Sequence, residues 1–424
     1  MMKNNSLISI KVLTFAALLS LSIVGCSNAQ DNSAAVVTST QAAATQTAAS
    51  TVSSGTTSTG EAAEGTATTG TTVTDTSALF TDRDLEQTAD LTAATRMDLV
   101  SNQDVTLSEE GVYVLSGDVE NVTVTVDAAE EAKVQIVLDG VSITNADAPA
   151  IYVKAADKIF VTSTDSDNHM EVTGTYAADG ETNLDAVIFS RADVTLNGTG
   201  SLDIVSAQGN GISSKDDLKI TGGVYTIESS ADALEANDAI LISDGTITID
   251  TGKDALHSEN EEDTTLGNIY ITGGTLNITA ADDAITANNL VQIDGGTLNI
   301  ETAVEGIEGN TIIINDGQIT IYATDDGINA TPKVNDNASI EVNGGTIKVT
   351  MGSGDTDAFD SNGNLYINGG TIDVEATSAF DADGTAELNG GTVTVNGEQI
   401  TEITESRGGG GFGGGAGGGR GTGH

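Results

Sequence analysis

The sequence predicts an all-β chain wound as a right-handed parallel β-helix with coils of roughly 22 residues. Two observations carry this. A glycine turn recurs as Thr221-Gly222-Gly223, Asp244-Gly245, Thr272-Gly273-Gly274, Asp294-Gly295-Gly296, Asp316-Gly317, Asn343-Gly344-Gly345, Asn368-Gly369-Gly370 and Asn389-Gly390-Gly391. Short alternating runs flank each turn, such as Val291/Ile293 before and Leu298/Ile300 after, with polar residues between them. Alternation marks strands with one buried face, and glycine supplies the positive φ that turns the chain.

One such unit buries too little to stand alone, whereas equivalent strands stacked ~4.8 Å apart enclose a continuous apolar interior. Right-handed winding is the usual sense of parallel crossovers. Residues from about 100 to 400 would make ~13 coils and a rod ~60 Å long. Propellers and sandwiches need antiparallel hairpins and longer strands. The less regular segment 98–175, with strands at Val112-Tyr113-Val114-Leu115 and Ile159-Phe160-Val161, is expected to form the first coils and part of a cap, because a solenoid end exposes an unpaired edge.

Before the repeat, Lys3 and Lys11 precede an apolar run at 12–24 that ends at Ile23-Val24-Gly25-Cys26. This reads as a signal peptide over 1–25 with a lipobox-like end, so Cys26 is the expected lipidation site. Cys26 is the only cysteine, which excludes an intrachain disulfide framework. Residues 26–78 are rich in Ser, Thr, Ala and Gly and read as a disordered tether, 79–400 as the β-helix, and 401–424 as a flexible glycine-rich tail, in which 408–423 holds no core-forming residue beyond Phe412. The expected location is the cell surface, on a lipid anchor, as a monomer.

The net charge is −48, from 63 acidic against 15 basic residues. That excludes nucleic acid as a partner, since phosphate binding needs cationic side chains. It also calls for a counter-ion, and the abundant hard extracellular cation is calcium. With no Trp and 3% aromatics, a flat aromatic platform for sugars is not expected.

A second phrase, acidic-small-apolar-x-small, recurs with the coil, as in Asp283-Ala284-Ile285-Thr286-Ala287 and Asp326-Gly327-Ile328-Asn329-Ala330. Its apolar third residue points inward and its fourth outward. The first-position residues Asp232, Asp254, Asp283, Glu305, Asp326 and Asp357 should follow one another up the solenoid, beside Glu235, Glu308, Asn329, Asp360 and Asp381 at the fourth position. Carboxylates ~5 Å apart repel, and an ion between two of them reaches an oxygen of each at calcium distance. The competing reading makes the aspartates turn caps for backbone N–H groups. His257 and His169 have no partner evident in the sequence and read as incidental.

The stretches Val137-Leu138-Asp139-Gly140-Val141-Ser142-Ile143, Pro149-Ala150-Ile151-Tyr152-Val153-Lys154 and Gly211-Ile212-Ser213-Ser214-Lys215-Asp216-Asp217 resemble those of a bacterial carbohydrate-binding family of clostridial β-helix lipoproteins. The resemblance spans about 98–395. It implies a fold similar to pectate lyases, bound calcium, and affinity for cellulose or acidic plant polysaccharide such as polygalacturonate. A non-catalytic, calcium-dependent polysaccharide binder is therefore expected. The alternatives are a calcium-dependent lyase, with Lys215, Lys219, Lys253 or Arg191 as base, and a structural stalk. No compact group of base, cation ligands and charge stabiliser is evident, so no catalytic residue is assigned.

Overall fold

The structure, a computed structural model, describes residues 74–404 apart from residue 355. Cys26, the signal segment, most of the tether and the tail from 405 onward lie outside the described residues.

Ile285–Ile293 begins one coil, with 285–287 in a first sheet (sheet A) and 290–293 in a second (sheet B). Asp294-Gly295-Gly296 turns the chain, and Thr297–Ala303 enters a third (sheet C). The next coil lies in register on it, with Ile307 opposite Ile285, Ile312 opposite Val291 and Ile319 opposite Leu298. The chain is thus an all-β parallel solenoid of about 12 turns and ~24-residue coils. Coils are longer than the expected ~22 residues, and fewer than ~13, because insertions at 173–185, 259–267, 331–338 and 352–354 all fall at corners. None interrupts a strand, so the stacking survives them.

The inward residue of the acidic phrase forms one core column: Leu234, Leu256, Ile285, Ile307, Ile328, Phe359 and Phe380 are all buried. Each such side chain contributes roughly 1.5–3 kcal/mol on burial. Phe359 and Phe380 stack with ring centroids 5.4 Å apart. At the B–C corner Gly296 takes φ +91°, and a Cβ on Gly295 would lie 2.8 Å from the Thr272 carbonyl oxygen, which explains the paired glycines. The first residue after the sheet B strand forms its own ladder along this corner. Asn315 donates to Asp294 (2.7 Å), Asn343 to Asn315 (2.9 Å), Asn368 to Asn343 (2.9 Å) and Asn389 to Asn368 (3.0 Å).

At the last coil, Thr392–Val395 pairs antiparallel with Glu398–Ile400, which covers the open edge. The other end departs from expectation. Residues 74–91 do not wind as a coil but cross the outer face of sheet B, and the first five of them belong to the stretch read as tether. Thr74 and Thr76 bond Gln292 (2.9 Å) and Asp294 (2.6 Å), and Leu79 and Phe80 pack on Leu241, Tyr270 and Ile313. Asp84, fully buried, meets Lys158 at 2.6 Å and Thr195 at 2.7 Å. Burial alone would raise the Asp84 carboxyl, but Lys158 and the Thr81 and Thr195 donors bring it down to about 2.

Candidate metal and carbohydrate site

The outer face of sheet A aligns the fourth-position residues in one register: Glu235, His257, Thr286, Glu308, Asn329, Asp360 and Asp381. The first-position residues precede these strands, or in the case of Asp357 open one, and their carboxylates bond upward between coils. One Asp232 oxygen accepts from the Asp254 N–H (3.2 Å), Asp254 from Asp283 (3.0 Å), Asp283 from Glu305 (3.0 Å) and Asp326 from Asp357 (3.0 Å). Asp357 in turn accepts from the Ser378 hydroxyl. Capping and stacking are therefore one arrangement. One carboxylate oxygen satisfies the backbone of the next coil, and the second is left to face its neighbours.

The ladder divides electrostatically. At its start the protein supplies the cations: Lys253 Nζ lies 3.3 Å from Asp232, and His257 Nδ1 lies 3.4 Å from Asp232 and 3.2 Å from Asp254. Burial works against charge on His257, but the Asp232 and Asp254 carboxylates outweigh it and raise the imidazole to about 10. Glu235 is matched by Lys215 at 3.0 Å. The histidines are thus not incidental, and His169 likewise meets Asp203 at 2.8 Å. Asp232 and Asp203 lie one coil away, where sequence spacing does not reveal them, whereas Asp254 stands three residues before His257 in the same coil.

Further along, the balance reverses. Donor oxygens of Asp283, Glu305 and Glu308 lie within 4.8 Å of one another, as do those of Asp254, Asp282 and Asp283. Burial, followed by like charges nearby, raises Asp283 and Asp326 to about 6, Asp360 to about 7 and Glu305 to about 8. Lys333 answers Glu308. Between them Asn329, only 8% exposed, donates its amide to Glu305 (3.0 Å) while its carbonyl oxygen is buried without a hydrogen-bond partner. An orphaned carbonyl among carboxylates that outnumber the one lysine beside them is an all-oxygen donor set, which suits a hard cation such as calcium better than a soft one. These acidic clusters can hold a metal ion.

A second acidic group escaped the sequence reading. Asp193, Asp216, Asp217 and Asp238 gather at the corner that opens sheet B, where burial and then Asp193 and Asp238 raise Asp216 to about 7. The available signal was Asp216 and Asp238 at equivalent coil positions, each one residue before the paired Asp217 and Ala239. Beside it lies a groove of about 550 Å³ lined by Lys215, Glu235, Asp238, His257 and Glu259. The four basic residues considered as lyase bases do not share one cleft. Lys219 is buried under residues 74–91, bonded to the Leu79 carbonyl (2.8 Å). Lys253 is held on Asp232, Lys215 on Glu235, and Arg191 on Thr182.

The family of carbohydrate-binding domain-containing proteins matches residues 101–358. A carbohydrate-binding domain-containing protein of Acetivibrio thermocellus is 36% identical over 127 residues, 29% of this chain and 44% of that relative, so the chain spans less than half of the relative's length. Among solved structures, a polysaccharide lyase-like protein from C. thermocellum, in a gadolinium derivative, is similar at 33% identity with a TM-score of 0.45, over 50% of this chain and 96% of that one. With more than half of its length matched and the solenoid in place, the chain belongs to the carbohydrate-binding domain-containing family.

Proposed function

We infer that this protein is a non-catalytic, calcium-dependent polysaccharide binder that works from the cell surface, held there by a lipid on Cys26. The single observation that carries the calcium reading is the buried, unpartnered Asn329 carbonyl oxygen among Glu305, Glu308, Asp326 and Asp360. Calcium bound there lowers the mutual repulsion of these carboxylates. Its remaining coordination positions would accept oxygens from outside, either sugar hydroxyls or uronate carboxylates. A body of net charge −48 repels an acidic polymer unless a cation stands between them, so calcium links the two.

The non-catalytic part rests on the dispersal of the candidate bases, each held by its own carboxylate, hydroxyl or carbonyl. The test is retention on insoluble cellulose and on pectate, with millimolar calcium and with chelator, followed by ultraviolet absorbance of the pectate supernatant. Calcium-dependent retention without growth of unsaturated product supports the reading. Retention indifferent to chelator would remove the calcium link, and steady product growth would make the protein a lyase.

A further inference from the structure

The few cations of this acidic chain are not scattered evenly. Val153 lies opposite Ser190 and Ser190 opposite Ser214, so the next residues, Lys154, Arg191 and Lys215, follow one another up the corner between sheets A and B. Backbone bonds confirm the stacking, with Arg191 donating to the Val153 carbonyl (3.1 Å) and Lys215 to that of Ser190 (2.9 Å). Successive coils are ~4.8 Å apart, so the three charges form a short basic rail. Beside it, on the outer face of sheet A, Tyr152 and Phe189 are paired in register, their rings edge to face at 5.9 Å. Lys154 Nζ sits 4.9 Å from the Tyr152 ring and Lys215 Nζ 5.6 Å from the Phe189 ring.

This aromatic pair is outside the core yet buried, because the corner insertion 173–185 folds over it with Tyr176 and Leu184. The same insertion places a carboxylate on the rail. Asp179 Oδ2 is 2.7 Å from Lys154 Nζ and 3.2 Å from the Tyr152 hydroxyl, while Arg191 bonds the Thr182 hydroxyl. The Lys154–Asp179 pair is exposed, at 38% and 48%, and such pairs are weak.

We propose that the Tyr152–Phe189 pair with Lys154, Arg191 and Lys215 is a second saccharide site, one for uronate-type sugars, and that insertion 173–185 is its lid. The Asp179 carboxylate then occupies the position of a sugar carboxylate, and Tyr176 and Leu184 the position of a sugar ring's apolar face. Here the protein's own cations meet the acidic sugar, so binding needs no calcium. The proposal rests on the polysaccharide-binding reading and shares with the acidic ladder only Lys215, which Glu235 meets at 3.0 Å.

The experiment is titration calorimetry of the full chain in chelator, with a galacturonate hexamer and with a neutral cellohexaose. Asp179→Asn keeps the lid's size and frees Lys154, so it should tighten hexagalacturonate up to about fivefold, the weight of one exposed ion pair. Adding Lys154→Gln should abolish that gain, and cellohexaose should respond to neither change. Affinity for hexagalacturonate unchanged by Asp179→Asn, or a gain that survives Lys154→Gln, overturns the proposal. Loss of calcium-dependent retention on pectate would instead count against the ladder and leave this outcome legible on its own.

Discussion

Replacing Glu305 by Gln separates repulsion from ligation in the acidic ladder. Glu305 accepts the Asn329 amide at 3.0 Å, and the glutamine carbonyl can accept the same bond, so the substitution removes charge and little else. Burial, Glu308 and Asp283 lift the folded carboxyl from 4.5 to about 8. At 1.36 kcal/mol per pH unit this is at most ~5 kcal/mol, and sharing among coupled, partly exposed neighbours reduces it to ~1–3 kcal/mol. The sign follows from linkage. A carboxyl whose folded pKa is raised leaves stability untouched below the unfolded value near 4.5, then lowers it progressively as pH climbs towards 8. In chelator the variant should therefore melt with the wild type at pH 4 and ~1–4 °C above it at pH 8.5. Calcium should reverse the order. The wild type gains RT ln(1 + [L]/Kd), about 2.7 kcal/mol at a hundredfold excess, and the variant gains less for want of a charged ligand. Calorimetric melts with and without millimolar calcium read both effects. Equal melting at pH 8.5 in chelator would refute the strain, and equal calcium gains in the two proteins would remove Glu305 from the site.

Asp326→Asn with Asp357→Asn keeps the inter-coil acceptor oxygens and removes charge, so the calcium-induced rise in melting temperature should shrink while the calcium-free protein folds as before; an undiminished rise would leave these residues as caps alone. Asp84→Ala takes from buried Lys158 its close carboxylate and leaves it Asp193 at 3.9 Å, so it should cost about 3 kcal/mol in denaturant titration, and a cost below 1 kcal/mol would show that residues 74–91 are not held by this pair. Cys26→Ser should release the protein from the membrane fraction, and equal retention on fractionation would exclude the anchor.

The sequence by itself determined the coil, because alternation and glycine turns are local and the stacked strands repeat them. Ile285, Ile307 and Ile328 were legible as inward and Glu308, Asn329 and Asp360 as outward from a period of two residues. It also left two readings of Asp254 or Asp283, as cap or as ladder member, and the fold makes them both at once, since the capped N–H belongs to the next coil. Only the tertiary structure decided what lies beside what across coils. His257 meets Asp232, and Lys154 meets Asp179, over sequence separations that corner insertions vary freely, so no fixed spacing encodes them. The same holds for residues 74–91, whose Asp84 finds Lys158 and Thr195 on two different coils. A repeat specifies its neighbours through shared period, whereas a strap or lid outside the repeat is placed only by the charges and apolar surface that the finished solenoid presents.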